Sequence, residues 1–381
     1  MRTPPWIRWG MALVLLVSVL GTARVAWATS PVMEPVVAAA PVSSEPDSWL
    51  GVVRGVRTLP REESSTAVGT RRAFTVELME GAQRGRVVTI EDDLHVPAMG
   101  DRVFVSHLVG SNGVDLYAIE ELDRRPMLAW AVAIFVIAVL LLGRGEGLRA
   151  LVTLAASLGL LVGVLLPAIL RGASPVMASA LFAVGVLLVA IPLTHGFRRT
   201  AFAAVIGTTG AIACTVLFAW IAVAAAKLTG MSDEVSLLVS AEFGGRIDLR
   251  GLLLGAIIIG TLGVLDDIAV TQATMVAEIA QAAPGWSRID VFRRALRVGR
   301  AHVGALVNTL ALAYVGASLP ILLLFYGIPV SMDRVLNREL FATEILRTIV
   351  GSLGIMVAVP LTTWAATVLC MGPHPPRVES K

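Results

Sequence analysis

The chain has 381 residues, of which 56% are hydrophobic and 15% charged, with a formal net charge of +3. A soluble domain sits nearer half apolar and a quarter charged, so an ordinary globular enzyme is excluded as the whole answer. The basic balance does not indicate nucleic-acid binding, because the arginines cluster in short segments between apolar runs and no basic stripe interleaved with aromatics occurs.

The N-terminus carries Arg2 and Arg8, an apolar stretch from Met11 to Leu20, and small residues at Ala26 and Ala28. This order fits a signal peptide or an uncleaved signal anchor over residues 1–28 and places the segment after it outside the cytoplasmic membrane. Residues 29–48, rich in Pro, Ala and Ser, form a linker.

Residues 49–125 change character. Short alternating runs, WLGVVRGVRTL, RAFTVELM, RVVTIE, DRVFVSHL and VDLYAIEEL, are separated by GAQRG at 81–85, PAMGD at 97–101 and SNG at 111–113. Five strands in so short a segment predict a small antiparallel β-barrel of the OB-like kind. Gly100-Asp101 turns the chain into the fourth strand. His95 and His107 read as solvated surface residues, and no catalytic constellation appears.

The rest, 126–371, alternates apolar spans with short loops and ends in a tail, 372–381. Spans are expected near 127–143, 149–170, 175–194, 201–226, 251–270, 302–326 and 345–370, each about 17–25 residues, enough to cross a bilayer core as helix. The fold class is therefore an α-helical integral membrane bundle of about seven spans with the exported β-barrel. Arg144, Arg149, Arg198, Arg199 and the group Arg288, Arg293, Arg294, Arg297 and Arg300 fall in alternate loops. That bias puts them, and the C-terminus, on the cytoplasmic side of an inner membrane. Ser232-Asp233-Glu234 opens a short interfacial helix with a Ser cap. The arginine-rich segment forms either a helix lying along the inner leaflet or a solvated connector. GTTG at 207–210 and Pro360 mark breaks in their spans.

The stretch GTLGVLDDIAVTQATMVAEIAQ, Gly260 to Gln281, carries the chemistry. At helical spacing Gly260, Gly263, Asp267, Thr271, Thr274 and Glu278 share one narrow face that turns toward protein or water. Counted from Gly251, Asp267 lies roughly 24 Å along a core about 30 Å thick. A carboxylate at such depth costs about 2.5–3.5 kcal/mol unless paired, protonated or hydrated. Two readings of Asp266 and Asp267 stand side by side: helix bridging at the inner interface with loop arginines, or an ion or substrate pathway. His302, Asn308, Thr309, Tyr314 and Ser318 supply polar groups on the next span, where Asn308 and Thr309 read as interhelical hydrogen bonders. Glu344 and Arg347 form an i,i+3 pair at an outer end. Cys214 and Cys370 lie in apolar runs and read as small buried hydrophobes.

GTLGVLDDIAVTQA, VNTLALAYVGASLP, GSLGIMVAVPLT and the THGF at 194–197 resemble the signature segments of the YibE/F family of bacterial multi-pass membrane proteins, a likeness extending over roughly residues 50–370. The resemblance implies topology, lends no substrate or cofactor, and marks Asp266, Asp267, Thr271, Gln272, Asn308 and Thr309 as positions of interest. The family pattern has an acid before the His of the Asn-Thr-Leu span, where this chain has Ala301.

The ion- or substrate-binding candidates are thus Asp266, Asp267, Thr271, Gln272, Glu278, His302, Asn308 and Thr309. A permease-like protein is one expectation; a non-transporting scaffold or sensor that binds membrane lipids and an envelope partner through residues 49–123 is the other. Enzyme activity has least support. Adjacent carboxylates on one helix point about 100° apart, and no second acidic cluster or phosphate-binding loop is present. No metal or cofactor is expected, and the oligomeric state is open.

Overall fold

A computed structural model describes residues 47–59, 72–81, 83–109, 115–327 and 331–371. The expected signal segment, the linker up to residue 46 and the C-terminal tail lie outside the described residues, and the linker's last two residues, Asp47 and Ser48, open the first strand. The chain divides between Leu142 and Gly143 into two compact units.

The first unit contains five antiparallel strands: β1 (Asp47–Thr58), β2 (Arg72–Leu78), β3 (Val87–Asp92), β4 (Arg102–Val109) and β5 (Asp115–Leu122), in the order β3-β2-β1-β4-β5. β1 pairs through its first half with β4 (Trp49 opposite Val105) and through its second half with β2 (Val56 opposite Phe74). One strand shared between two neighbours, with register shifts at Val53/Gly55 and Phe104/Val105, curls the sheet. Period-two alternation puts Phe74, Val76 and Leu78 of β2 inside with Val53, Ile90, Val103, Val105 and Ile119. The outermost strands approach each other, and Arg86, just before β3, reaches Asp115 (3.4 Å) and the Tyr117 hydroxyl (3.4 Å) on β5.

The two histidines are not solvated surface residues. His107 is stacked between Trp49 (4.9 Å) and Tyr117 (5.1 Å), with its Nε2 2.9 Å from Asp115 Oδ1. His95 Nδ1 lies 2.8 Å from Asp92 Oδ2. Each imidazole finds a carboxylate a few residues away, so burial of the ring is compensated locally. Asp92 also accepts the Leu94 and His95 amides, and Asp101 accepts the Ala98 amide, so the loop between β3 and β4 is held at both ends.

The second unit, from Gly143 on, is helical, and the helix leading into it starts in the first unit, where residues 125–142 belong. α1 (Arg125–Leu160) is two helices merged across a break at Arg144, whose φ of 47° and ψ of −127° leave the helical region within GRGEG. A π-helical segment, Leu161–Leu165, and α2 (Leu166–Leu170) continue it. Next come α3 (Pro175–His195), α4 (Arg199–Ala225), α5 (Glu234–Glu242), α6 (Leu249–Ala282), α7 (Arg288–Ala317), α8 (Leu319–Tyr326), α9 (Met332–Leu336) and α10 (Glu339–Cys370). Five helices are long and apolar enough to cross a membrane, counting α1 with α2, and six if α7 and α8 form one bent span.

Several local expectations change. α4 runs unbroken through GTTG, and α10 runs unbroken through Pro360. The glycines of GTTG serve close approach: a Cβ on Gly207 would collide with Thr362 of α10, and Gly210 lies against Leu361. The expected span 302–326 is instead bent by 65° between α7 and α8, because Pro320 lacks an amide and crowds the carbonyl one turn earlier. The arginine-rich segment is not a separate interfacial helix. It is the first half of α7, started by a Ser287–Asp290 capping box and continuous with the apolar half. Asp233, not Ser232, caps α5, its carboxylate accepting the Ser236 amide at 2.7 Å.

α3, α4, α6, α7 and α10 pack on one another. Small and hydroxyl side chains meet at the crossings: Gly354 of α10 on Thr215 of α4, Gly351 on Thr261 of α6, and Gly255 of α6 on Ser179 of α3. The buried hydroxyls of Thr208, Thr215 and Thr261 donate to carbonyls one turn back in their own helices at 2.8–3.0 Å. They therefore need no partner from across the interface.

The Asp92 turn has a pH signature. Burial works against ionisation of Asp92, but hydrogen bonds from the His95 amide and ring and the Leu94 amide outweigh it and hold its carboxyl below the usual range. A depressed carboxylate contributes stability that is present above the unfolded value, about 4, and lost as pH falls through the folded one. Amide exchange of residues 94–98 in the whole protein, corrected for intrinsic rate, should stay protected through the ordinary aspartate range and lose protection below it. Protection lost already near neutral pH would show that the carboxylate does not hold the loop.

Candidate functional site

Asp266 and Asp267 sit midway along α6, and the packing of that helix treats them differently. Its buried positions, Leu262, Leu265, Ile268, Ala269, Gln272, Ala273 and Val276, face the bundle. Asp266 lies at the edge of this face, partly buried, with Oδ1 covered and without a hydrogen-bond partner among the described residues. Asp267, about 100° further round, is exposed. Gly260, Gly263, Thr271, Thr274 and Glu278 are exposed with it. The expected stripe is therefore real as a stripe, but no helix of the described chain covers it.

Gln272 has another role. It is 2% exposed, and its Nε2 donates to the Ala295 carbonyl of α7 (3.0 Å) and to Thr363 Oγ1 of α10 (2.7 Å). A Cβ on Gly299 would stand 2.6 Å from Gln272 Oε1 and 2.6 Å from Val359 Cγ1. Gly299 is thus the gap through which the amide enters. Gln272 is a clamp joining three helices, not a group free to hold a ligand.

Two contacts fix the register of the antiparallel pair α6 and α7: Gly260 against the Tyr314 hydroxyl, and Gln272 against Gly299. Interpolating at 1.5 Å per residue places Asp267 level with Ala305 and roughly one turn, about 5 Å, from the level of Asn308. Thr271 falls level with Arg300 to His302, and Glu278 with Arg293 and Arg294. Asp266, Asp267, Thr271, His302, Asn308 and Thr309 thus lie between the two anchor contacts, and Glu278 lies beyond the second. His302, Asn308 and Thr309 are exposed. Thr309 Oγ1 donates to the Ala305 carbonyl of its own helix at 2.9 Å, and Asn308 makes no hydrogen bond among the described residues. The expected interhelical bonds from this pair are absent there because the face that carries them looks outward.

Two neighbours were not singled out as ligands from the sequence. His195, the last residue of α3, has Asp267 of α6 and Glu146, just past the Arg144 break, within electrostatic reach. Its signal was a histidine closing an apolar span in THGF. Higher up, Arg347 and Glu344 pair at 2.8 Å as expected, and the guanidinium lies 5.8 Å from the Tyr314 ring. Arg347 Nε is buried without a hydrogen-bond partner. Among the described residues no group of three or more His, Cys, Asp or Glu could hold a metal.

A family model, YibE/F-like protein, matches residues 131–372. The chain belongs to the YibE/F-like family. The match covers the helical part from within α1 to the end of α10 and includes every candidate residue; the sheet of this YibE/F-like protein lies outside it, so the resemblance expected from residue 50 narrows to the helices. No curated protein and no solved structure matches the chain.

The clamp gives a stability test. Gln272→Ala removes a bond of a kind that averages about 0.6 kcal/mol between membrane helices and opens a void in a close-packed position. Unfolding of the detergent-solubilised protein should be easier by about 1–2 kcal/mol. Gly299→Ala should lower stability similarly by crowding the same amide. Wild-type stability in both variants would dissociate Gln272 from the packing of α6, α7 and α10.

Proposed function

We propose that this YibE/F-like protein is a permease-like protein of the inner membrane, in which Asp266 and Asp267 bind a proton or cation in the inner half of the bundle. The observation that carries this reading is the Asp266 Oδ1 atom, covered and unpartnered at mid-helix beside the exposed Asp267. No cation among the described residues pairs with Asp266, and an intramembrane acid without a partner is by default a candidate for a proton or ion pathway. His195 and Glu146 supply further titratable groups nearby.

The topology goes with it. Taking the Arg144 break as a turn between two passages, and α7 with α8 as one bent passage, yields seven crossings after the signal segment. Residues 49–125 then lie outside and the C-terminus in the cytoplasm, an orientation supported by the arginines at 144, 149, 198, 199 and 288–300. The strand order and the approach of β3 to β5 support an OB-like sheet.

Flux of protons or monovalent cations into vesicles holding the purified protein tests the reading. Asp266→Asn together with Asp267→Asn should reduce it roughly tenfold or more, a barrier change of about 1.4 kcal/mol. Unchanged flux removes these residues from any transport role.

A second reading, a scaffold or sensor whose exported sheet binds an envelope partner, is favoured by one feature. The loop pinned by Asp92 and Asp101 presents Leu94, Val96 and Met99 at 79%, 65% and 72% exposure. An ordered loop offering three apolar side chains is a docking element in form. Changing all three to Ser should abolish capture of an envelope protein while leaving membrane insertion intact; equal capture would count against the loop.

A further inference from the structure

We infer that a second copy of this chain covers the outward face of α6 and α7, the two copies being related by a two-fold axis along the helix direction. The inference rests on the membrane reading proposed above. In lipid, the exposed carboxylate of Asp267 and the amide of Asn308, unbonded among the described residues, each carry a desolvation cost. Something polar must meet this face, and none of the described residues of the chain does.

Two stripes lie on it. α6 exposes Gly260, Gly263, Asp267, Thr271, Thr274 and Glu278; α7 exposes Arg297, Ala301, Gly304, Asn308 and Leu312 at steps of three or four. The first is acidic, the second basic and amide-bearing. Neither Glu278 nor Arg297 nor Arg300 forms an ion pair among the described residues.

A two-fold axis parallel to the helices preserves depth. α6 of one copy therefore meets α7 of the other at the register already fixed within the chain. Asp267 comes to the level of Gly304 and Asn308, Thr271 to that of Arg300 and Ala301, and Glu278 to that of Arg293 and Arg297. Asp267 thus faces an amide and Glu278 faces arginine, with Thr271 between them, and the same pairing recurs on the other side of the axis, as an isologous interface requires. Gly263, Ala301 and Gly304 bring the backbones close where helix association in lipid relies on small residues.

The glycines supply the test. A Cβ on Gly263 or on Gly304 would meet nothing within 4 Å among the described residues, and the same holds for Gly185 on α3. A side chain can therefore start at each of these places without a clash at its Cβ, and at Gly263 and Gly304 a leucine obstructs what docks there. The whole protein, fluorescently labelled, is placed at low density in vesicles of phosphatidylethanolamine and phosphatidylglycerol and counted by stepwise photobleaching. Wild type and Gly185→Leu should bleach as pairs. Gly263→Leu and Gly304→Leu should shift toward single steps, with the dissociation constant raised roughly tenfold, about 1.4 kcal/mol.

In a Cys214→Ala, Cys370→Ala background, differently tagged chains carrying Thr271→Cys and Ala301→Cys should form a disulfide between copies. Single copies in wild type, pairing unaffected by both glycine variants, or a different protein occupying the face would each overturn the inference. Alkaline carbonate extraction beforehand separates the two failures. A chain released from membranes refutes the membrane reading; one that is retained yet single refutes only the pairing.

Discussion

The helical unit depends on how closely α4, α6 and α10 approach one another. Membrane helices gain little from hydrophobic association with each other, since lipid is equally apolar, so van der Waals fit must hold them. Here glycine on one helix receives a threonine or serine from the next, at Gly207–Thr362, Gly354–Thr215, Gly351–Thr261 and Gly255–Ser179. Hydroxyls that bond back to their own helix make such contacts without leaving donors unsatisfied. Thr362, whose Oγ1 is buried without a partner among the described residues, is an exception, pressed against Gly207.

That packing decides where polarity goes. α10 serves as the common surface for α4, α6 and α7, and positions on α6 that meet it are apolar or small, apart from the Gln272 clamp. Carboxylates and amides are therefore displaced to the far side of α6 and α7. The candidate site follows from this close packing: most of the carboxylates and amides of α6 and α7 are gathered on its flank.

Much of this was legible in the residues. Five strands follow from period-two runs punctuated by Gly and Asn, and each lies within a few residues of its expected place. The α6 stripe follows from helical spacing alone. The direction it faces does not, because Gly260 and Gly263 look the same in sequence whether they admit a neighbour or none; only coordinates separate Gly207, filled by Thr362, from Gly304, filled by nothing. Pro360 and Pro320 make the same point. One sits within a continuous helix and the other at a 65° bend. His107 was misplaced for a related reason: its partners Trp49 and Tyr117 come from strands 58 and 10 residues away. Propensity sees the local chain, and these outcomes are set by contacts the chain makes later.

The capping box at Ser287 makes the arginine-bearing and the apolar halves of α7 one uninterrupted rod of about 45 Å. Arg293, Arg297 and Asn308 therefore keep fixed angular positions relative to one another along a single helix. The compliance of this hairpin is confined to its ends, at the short turn from Ala283 to Trp286 and at the bend by Pro320. The arginines and the polar groups of α7 thereby share one rigid frame of backbone hydrogen bonds.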